Sequence, residues 1–168
     1  MMKRKRFAVL VFLLTISTFS LFAMTGFGGE GSVTFNTENH PYWSVGVSAK
    51  PFNLPFSFTL SADFDGLHEG IYGAGLNAYW WMMNPKLFGM LHYYVGPGFA
   101  FSLFPKTGTN DEFGIFLGTG LMAGLNIFLW EPVEFYTQVN TDFGVIRYGG
   151  KWLPSLRVPI KMGLRFWW

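Results

Sequence analysis

The sequence predicts an all-β chain: eight antiparallel strands closed into an up-and-down transmembrane β-barrel, preceded by a cleavable signal peptide. Three observations carry this reading. Apolar and polar residues alternate with period two through eight successive segments. The connections between those segments alternate between short and long. The composition suits hydrocarbon better than water, with 50% hydrophobic, 20% aromatic and only 13% charged residues, against roughly 25% charged in a soluble domain. The 168 residues suffice for one domain. Disordered chains are poor in aromatics and rich in charge, so disorder is excluded. Cysteine is absent, which removes disulfide frameworks, Cys-containing zinc sites, thiol catalysis and a lipid-modified cysteine.

The N-terminus reads as targeting. Lys3, Arg4, Lys5 and Arg6 form a basic head, Phe7 to Phe22 is almost wholly apolar, and Ala23 is a small residue suited to cleavage. The expected division is a signal peptide over 1–23 and a barrel over 24–168. Residues 1–23 hold four of the 12 Lys and Arg and none of the 10 Asp and Glu, so their removal turns a net charge of +2 into −2. No basic patch remains to attract nucleic acid.

The strands follow in order. The first is the sparsest, with Phe27, Val33 and Phe35 against Glu30, Ser32, Thr34 and Asn36. In the second, Trp43, Val45, Val47 and Ala49 alternate with Ser44, Gly46, Ser48 and Lys50. The third sets Phe56, Phe58, Leu60, Ala62 and Phe64 against Ser57, Thr59, Ser61 and Asp63. The fourth runs from Tyr72 to Met82 and the fifth from Leu91 to Leu103, each with glycines and tyrosines on the second face. The sixth, Ile115 to Leu129, alternates large aliphatics with Phe116, Gly118, Gly120, Met122, Gly124, Asn126 and Phe128. In the seventh, Val133, Phe135, Val139, Phe143 and Val145 oppose Glu134, Tyr136, Gln138, Asn140 and Asp142. The eighth is the clearest: Leu156, Val158, Ile160, Met162, Leu164, Phe166 and Trp168 form one unbroken apolar face, and the other carries Arg157, Lys161 and Arg165. At about 3.3 Å per residue that face stands over ~20 Å tall, long for a soluble strand and right for a bilayer.

The turns are an independent check. Pro51 to Pro55, Asn84-Pro85-Lys86 and Glu131-Pro132 are short and marked by proline. The connections around Glu38 to Pro41, Asp65 to Gly70, Pro105 to Glu112 and Gly149 to Ser155 are longer and more polar. Transmembrane barrels have tight periplasmic turns and longer outer loops. Helices are the rival, because Leu87 to Pro105 and Phe113 to Trp130 are long uncharged runs. The last two segments decide against them. Their alternate charges would be sprayed around a helix in lipid, whereas a barrel turns all of them inward.

On this pattern the chain resembles the small eight-stranded outer-membrane barrels of double-membraned bacteria, the OmpA transmembrane-domain, OmpX and OmpW type. The likeness covers essentially all of residues 24–168. Its most specific element is the ending Leu164-Arg165-Phe166-Trp167-Trp168. Families assembled by the outer-membrane insertion machinery end in an alternating strand with a terminal aromatic, so Leu164, Phe166 and Trp168 are the expected assembly signal. The resemblance implies an outer-membrane location. It also implies contact with outer-membrane lipid, and passage by periplasmic chaperones and the insertion machinery. Likeness to OmpW in particular implies a narrow pore for small or apolar solutes.

Candidate chemistry is thin. His40 and His68 fall in or beside outer loops and His92 faces the lumen. Asp63, His68 and Glu69 are the one grouping that suggests a lipid-modifying enzyme, but scattered histidines define neither a catalytic nor a metal site. Lumen glycines, which loosely suggest a nucleotide loop, are better explained as room for neighbouring aromatic rings. Trp80, Phe135, Phe166 and Trp168 are expected in an aromatic girdle at the periplasmic interface, and Trp43, Phe64, Tyr72 and Phe143 in one at the outer interface. The inward charges are balanced, with Glu30, Asp63, Glu134 and Asp142 against Lys50, Arg157, Lys161 and Arg165. Eight strands enclose space only for side chains, so these eight are expected to form an ion-pair network that plugs the lumen. Asp142 should lie near Arg157 or Lys161, and Glu134 near Arg165. The expected protein is a monomer without enzymatic activity, cofactor, metal or nucleic-acid partner. Its role is structural or surface interaction through the outer loops, with the narrow pore as the alternative and a lipid-modifying enzyme behind it.

Overall fold

Residues 25–37, 41–52, 54–64, 73–104, 114–148 and 150–168 are described by the computed structural model. The expected signal peptide over 1–23, together with Tyr72, His40, His68, Glu69 and the segments 38–40, 65–72 and 105–113, lies outside these residues. The strands are β1 (Thr25–Asn36), β2 (Tyr42–Pro51), β3 (Phe56–Phe64), β4 (Gly73–Trp80), β5 (Lys86–Phe88), β6 (Leu91–Phe104), β7 (Gly114–Trp130), β8 (Val133–Tyr148) and β9 (Lys151–Trp167). Both apolar runs that favoured helices are strands, β6 and β7.

Eight long strands form the wall, each antiparallel to its neighbours, in the order β4-β3-β2-β1-β9-β8-β7-β6. The ring closes through β4 against β6, pairing Ala74 to Tyr79 with Leu103 to Gly98. β1, the sparsest segment by sequence, is a full strand bonded on both sides, to β2 and to β9. β1 and β9 meet at the short-turn end, where the Thr25 amide donates to the Trp168 carbonyl at 3.2 Å. Outward residues such as Val47, Leu60, Leu121, Phe143 and Met162 are exposed. The alternate positions are buried although many are polar. This inside-out pattern is what a barrel in hydrocarbon requires.

Two connections differ from expectation. Gly149 to Ser155 is not a long loop. Tyr148 pairs with Lys151, leaving only Gly149-Gly150 between the strands, and Gly150 has φ of 75°. A Gly-Gly pair in the sequence suits a two-residue hairpin, so β8 and β9 run on past the predicted rim. The turn placed at Asn84-Pro85-Lys86 also moves. β4 stops at Trp80, the chain runs irregularly past Met83, and the reversal falls at Gly89-Met90, between β5 and β6. Gly89 has φ of 55° there, and Pro85 carries no N–H for a ladder.

Inward glycines seat the aromatic rings. A Cβ on Gly98 would stand 2.4 Å from the Tyr79 ring, on Gly124 2.4 Å from Tyr94, and on Gly163 2.6 Å from Tyr136. We predict that Gly163→Val destabilises the barrel by about 1–3 kcal/mol, the usual range for overpacking. Gly29→Val is the control, because Gly29 is exposed and a Cβ there meets nothing closer than 3.9 Å. Urea unfolding in lipid vesicles measures both. Equal stability of the two variants would refute the ring-seating account.

Candidate functional site

The lumen is filled in three layers. At the short-turn end, β8 and β9 place Glu134 directly opposite Arg165. The carboxylate accepts from Asn126 Nδ2 at 2.9 Å, from Trp167 Nε1 at 3.0 Å and from Arg165 Nη1 at 3.5 Å. The Arg165 guanidinium lies 3.8 Å from the centre of the Tyr136 ring, and its Nε donates to Ser48 Oγ at 3.2 Å. Lys50 joins no carboxylate among the described residues. Its Nζ stands 3.8 Å over the Trp81 ring and 5.3 Å from that of Trp167. Trp81 in turn stacks on Tyr94 at 3.7 Å and donates from Nε1 to Ser57 Oγ at 3.2 Å.

The middle layer centres on Glu30. Lys161 Nζ lies 3.1 Å from Oε1, while the Tyr136 hydroxyl at 2.7 Å and Thr59 Oγ1 at 3.0 Å donate to Oε2. Four strands therefore converge on one carboxylate. Asn140 donates to the Tyr79 hydroxyl at 2.6 Å, and Lys161 is 5.0 Å from the Tyr79 ring centre. Such satisfaction is necessary, because removing a carboxylate and an ammonium from water costs several kcal/mol for each ion.

The layer nearest the longer loops is built differently. Asp142 and Arg157 are cross-strand partners, yet no ion pair joins them among the described residues. The Arg157 guanidinium lies flat against aromatics instead, 3.6 Å from the Phe116 ring centre and 4.8 Å from that of Phe104, and donates to Ser102 Oγ at 3.3 Å. Lys161 is taken by Glu30, so Asp142 lacks both of its expected partners, and its Oδ1 accepts no hydrogen bond. Asp63 receives a hydrogen bond from Ser61 at 3.3 Å. Both carboxylates, with Arg157 and Lys161, line a polar cavity of about 20 Å³, room for roughly one water molecule. Of the eight inward charges, the structure thus joins Glu30 to Lys161 and Glu134 to Arg165. It sets Lys50 and Arg157 on rings and leaves Asp63 and Asp142 with neutral partners or none.

The aromatic positions separate by end. Trp43 stacks on Phe64 at 4.4 Å where β2 and β3 meet the longer loops, and Trp80 packs on Phe56 at 5.7 Å at the opposite end. Phe135 and Phe166 face outward near the short turns, and Trp168 stacks on Phe27 at 5.7 Å. Phe143 is exposed but does not mark the rim, because the extended β8–β9 hairpin carries Trp152 beyond it. Trp152, Trp130 and Phe88 are exposed aromatics that the sequence reading did not single out. They sit at the hairpin and turn positions it drew differently or left between elements. His92 is partly exposed, with Nδ1 3.2 Å from the Met90 carbonyl. Among the described residues no group of three His, Cys, Asp or Glu side chains is arranged to hold a metal ion.

A closed eight-stranded wall with an apolar exterior and an interior filled by charged and polar side chains defines a small transmembrane β-barrel of the outer-membrane type. Solved structures share the fold. Neisserial surface protein A matches with a TM-score of 0.57 and 11% identity, over 86% of this chain and 97% of that one. Outer membrane protein H of P. aeruginosa matches with a TM-score of 0.50 and 13% identity, over 84% and 99%. No family model and no curated protein matches the sequence.

The Glu30–Lys161 pair is open to test. Glu30→Gln and Lys161→Met should each destabilise the barrel by about 3–5 kcal/mol, since each leaves a buried charge unpaired. The double variant should cost clearly less than the sum of the two. Denaturant unfolding in lipid vesicles reads the coupling, and additive losses would mean that the two charges do not depend on each other.

Proposed function

We propose that the chain is an integral protein of the bacterial outer membrane, a monomer whose role is structural or one of surface interaction through its outer loops. The observation that supports this most is the middle layer. Glu30, Lys161, Tyr136, Thr59, Tyr79 and Asn140 are all buried and bonded across the lumen, which supports a lumen filled by side chains at that level. A wall without a conduit leaves its ends as the surfaces that meet other molecules. The connections 37–41, 65–72 and 105–113 are the candidates for such a surface, since the fourth, between Tyr148 and Lys151, spans only two residues. No catalytic role is assigned. Asp63, the one described member of the suspected grouping with His68 and Glu69, is buried in the lumen against Ser61.

Planar-bilayer recording tests the plug. Wild-type protein is expected to give almost no steady conductance, and the Arg157→Ala, Lys161→Ala double variant is expected to leak. A large, stable wild-type conductance would overturn the proposal in favour of a narrow pore.

Assembly gives a further test. Leu164, Phe166 and Trp168 line the outward face of the strand that closes on β1, where Phe166 pairs with Phe27. Deleting Trp168 or introducing Phe166→Asp is expected to reduce surface display sharply, consistent with recognition by the insertion machinery after chaperone delivery. The Asp variant also puts a charge on the lipid face, whose cost is small near an interface. Display of both variants at the wild-type level would remove these residues as an assembly signal.

A further inference from the structure

Below the Glu134–Arg165 layer the barrel opens at its short-turn end into a vestibule of about 690 Å³. That volume is in the range of small-molecule sites, which are concave, mostly apolar and carry few polar groups. Phe52, Phe128, Trp167 and Trp168 supply the apolar wall, and Lys50 and Asn126 the inner polar groups. At its inner end Lys50 Nζ lies 3.8 Å over the Trp81 ring, which stacks on Tyr94, and Arg165 and Glu134 are buried.

Its electrostatics are asymmetric. The three donors on Glu134 leave that carboxylate fully engaged inside the wall. Lys50 makes no ion pair among the described residues. Its ammonium rests on the Trp81 ring face, an attraction that neutralises no charge and leaves its other donors free. Glu131 lines the outer rim but is exposed, so water and salt screen it. The deep end of an aromatic pocket therefore presents one cation that has no ion-pair partner among the described residues.

We propose that this vestibule binds an anionic amphiphile, with a carboxylate or phosphate head on Lys50 and an apolar tail against Phe52, Phe128, Trp167 and Trp168. A charge-assisted hydrogen bond in a partly dry site supplies the preference for an anion, and the rings supply the affinity for the tail. A neutral amphiphile would leave Lys50 unpaired, and an inorganic anion would leave the rings unused.

The test uses the folded barrel in phosphatidylcholine nanodiscs and follows the indole N–H resonance of Trp167, assigned with Trp167→Phe. Octyl phosphate and octanoate are the probes, with octanol and inorganic phosphate as controls. The expected result is a saturable shift for both anionic amphiphiles, with apparent affinity at least about tenfold above that of octanol. Lys50→Met should abolish that preference while leaving octanol unchanged. Phe128→Ala, at the partly exposed mouth, should weaken octyl phosphate as a second and independent variant. Retained β-type circular dichroism and heat-dependent gel mobility establish that each variant is folded. Three results would overturn the proposal: equal binding of octanol, inorganic phosphate binding as tightly as octyl phosphate, or an unsaturable shift that survives Lys50→Met and so reports partition into the bilayer.

Discussion

Everything in this molecule follows from the closure of its backbone hydrogen bonds. In hydrocarbon an unpaired amide or carbonyl costs several kcal/mol, so a sheet with an open edge cannot stay there. β4 bonding to β6 removes the last edge. The ring so formed has room inside only for side chains. The alternation that faces lipid with Val, Leu and Phe necessarily sends the other half of each strand into that confined core. The polar face thus becomes the buried one, and the rules of a soluble core apply to charges and hydroxyls.

The lumen meets that demand by two different means. Glu30 and Glu134 are surrounded by donors and paired with Lys161 and Arg165. The remaining two cations are placed on rings, Lys50 on Trp81 and Arg157 on Phe116. Planar guanidinium stacks well on aromatic faces, and a chain with 34 aromatic residues out of 168 offers many of them: 20 Phe, 7 Trp and 7 Tyr. The consequence is a graded interior. It is tightly bonded in the middle, with a small polar cavity toward the longer loops and an aromatic vestibule toward the short turns.

Strand identity and facing were legible because period two is a local property. Once Leu164 and Phe166 face lipid, Arg165 must face inward. The bonding of the inward charges was only partly legible. Glu134 and Arg165 sit opposite each other on consecutive strands, so hairpin register alone brings them together. Asp142 and Arg157 share that relation and still do not pair, because a guanidinium with Phe116 and Phe104 beside it has a competing partner from other strands. The Gly149-Gly150 turn carried a readable signal, two glycines between alternating segments, whereas polarity and length pointed to a loop. The reversal at Gly89-Met90 was masked by the stronger proline at Pro85.

The sequence by itself determined an all-β membrane wall of eight long strands, which residues face lipid and which face inward. Those follow from alternation, chain length and the cost of charge in hydrocarbon. The tertiary structure decided which buried groups meet. Glu30 collects Lys161, Tyr136 and Thr59 from three other strands, and Tyr136 lies 106 residues along the chain from Glu30. Contacts across a closed ring depend on strand tilt and register at every seam. No local pattern encodes that sum, so the bonded middle layer of the lumen and the vestibule below it exist only once β4 has met β6.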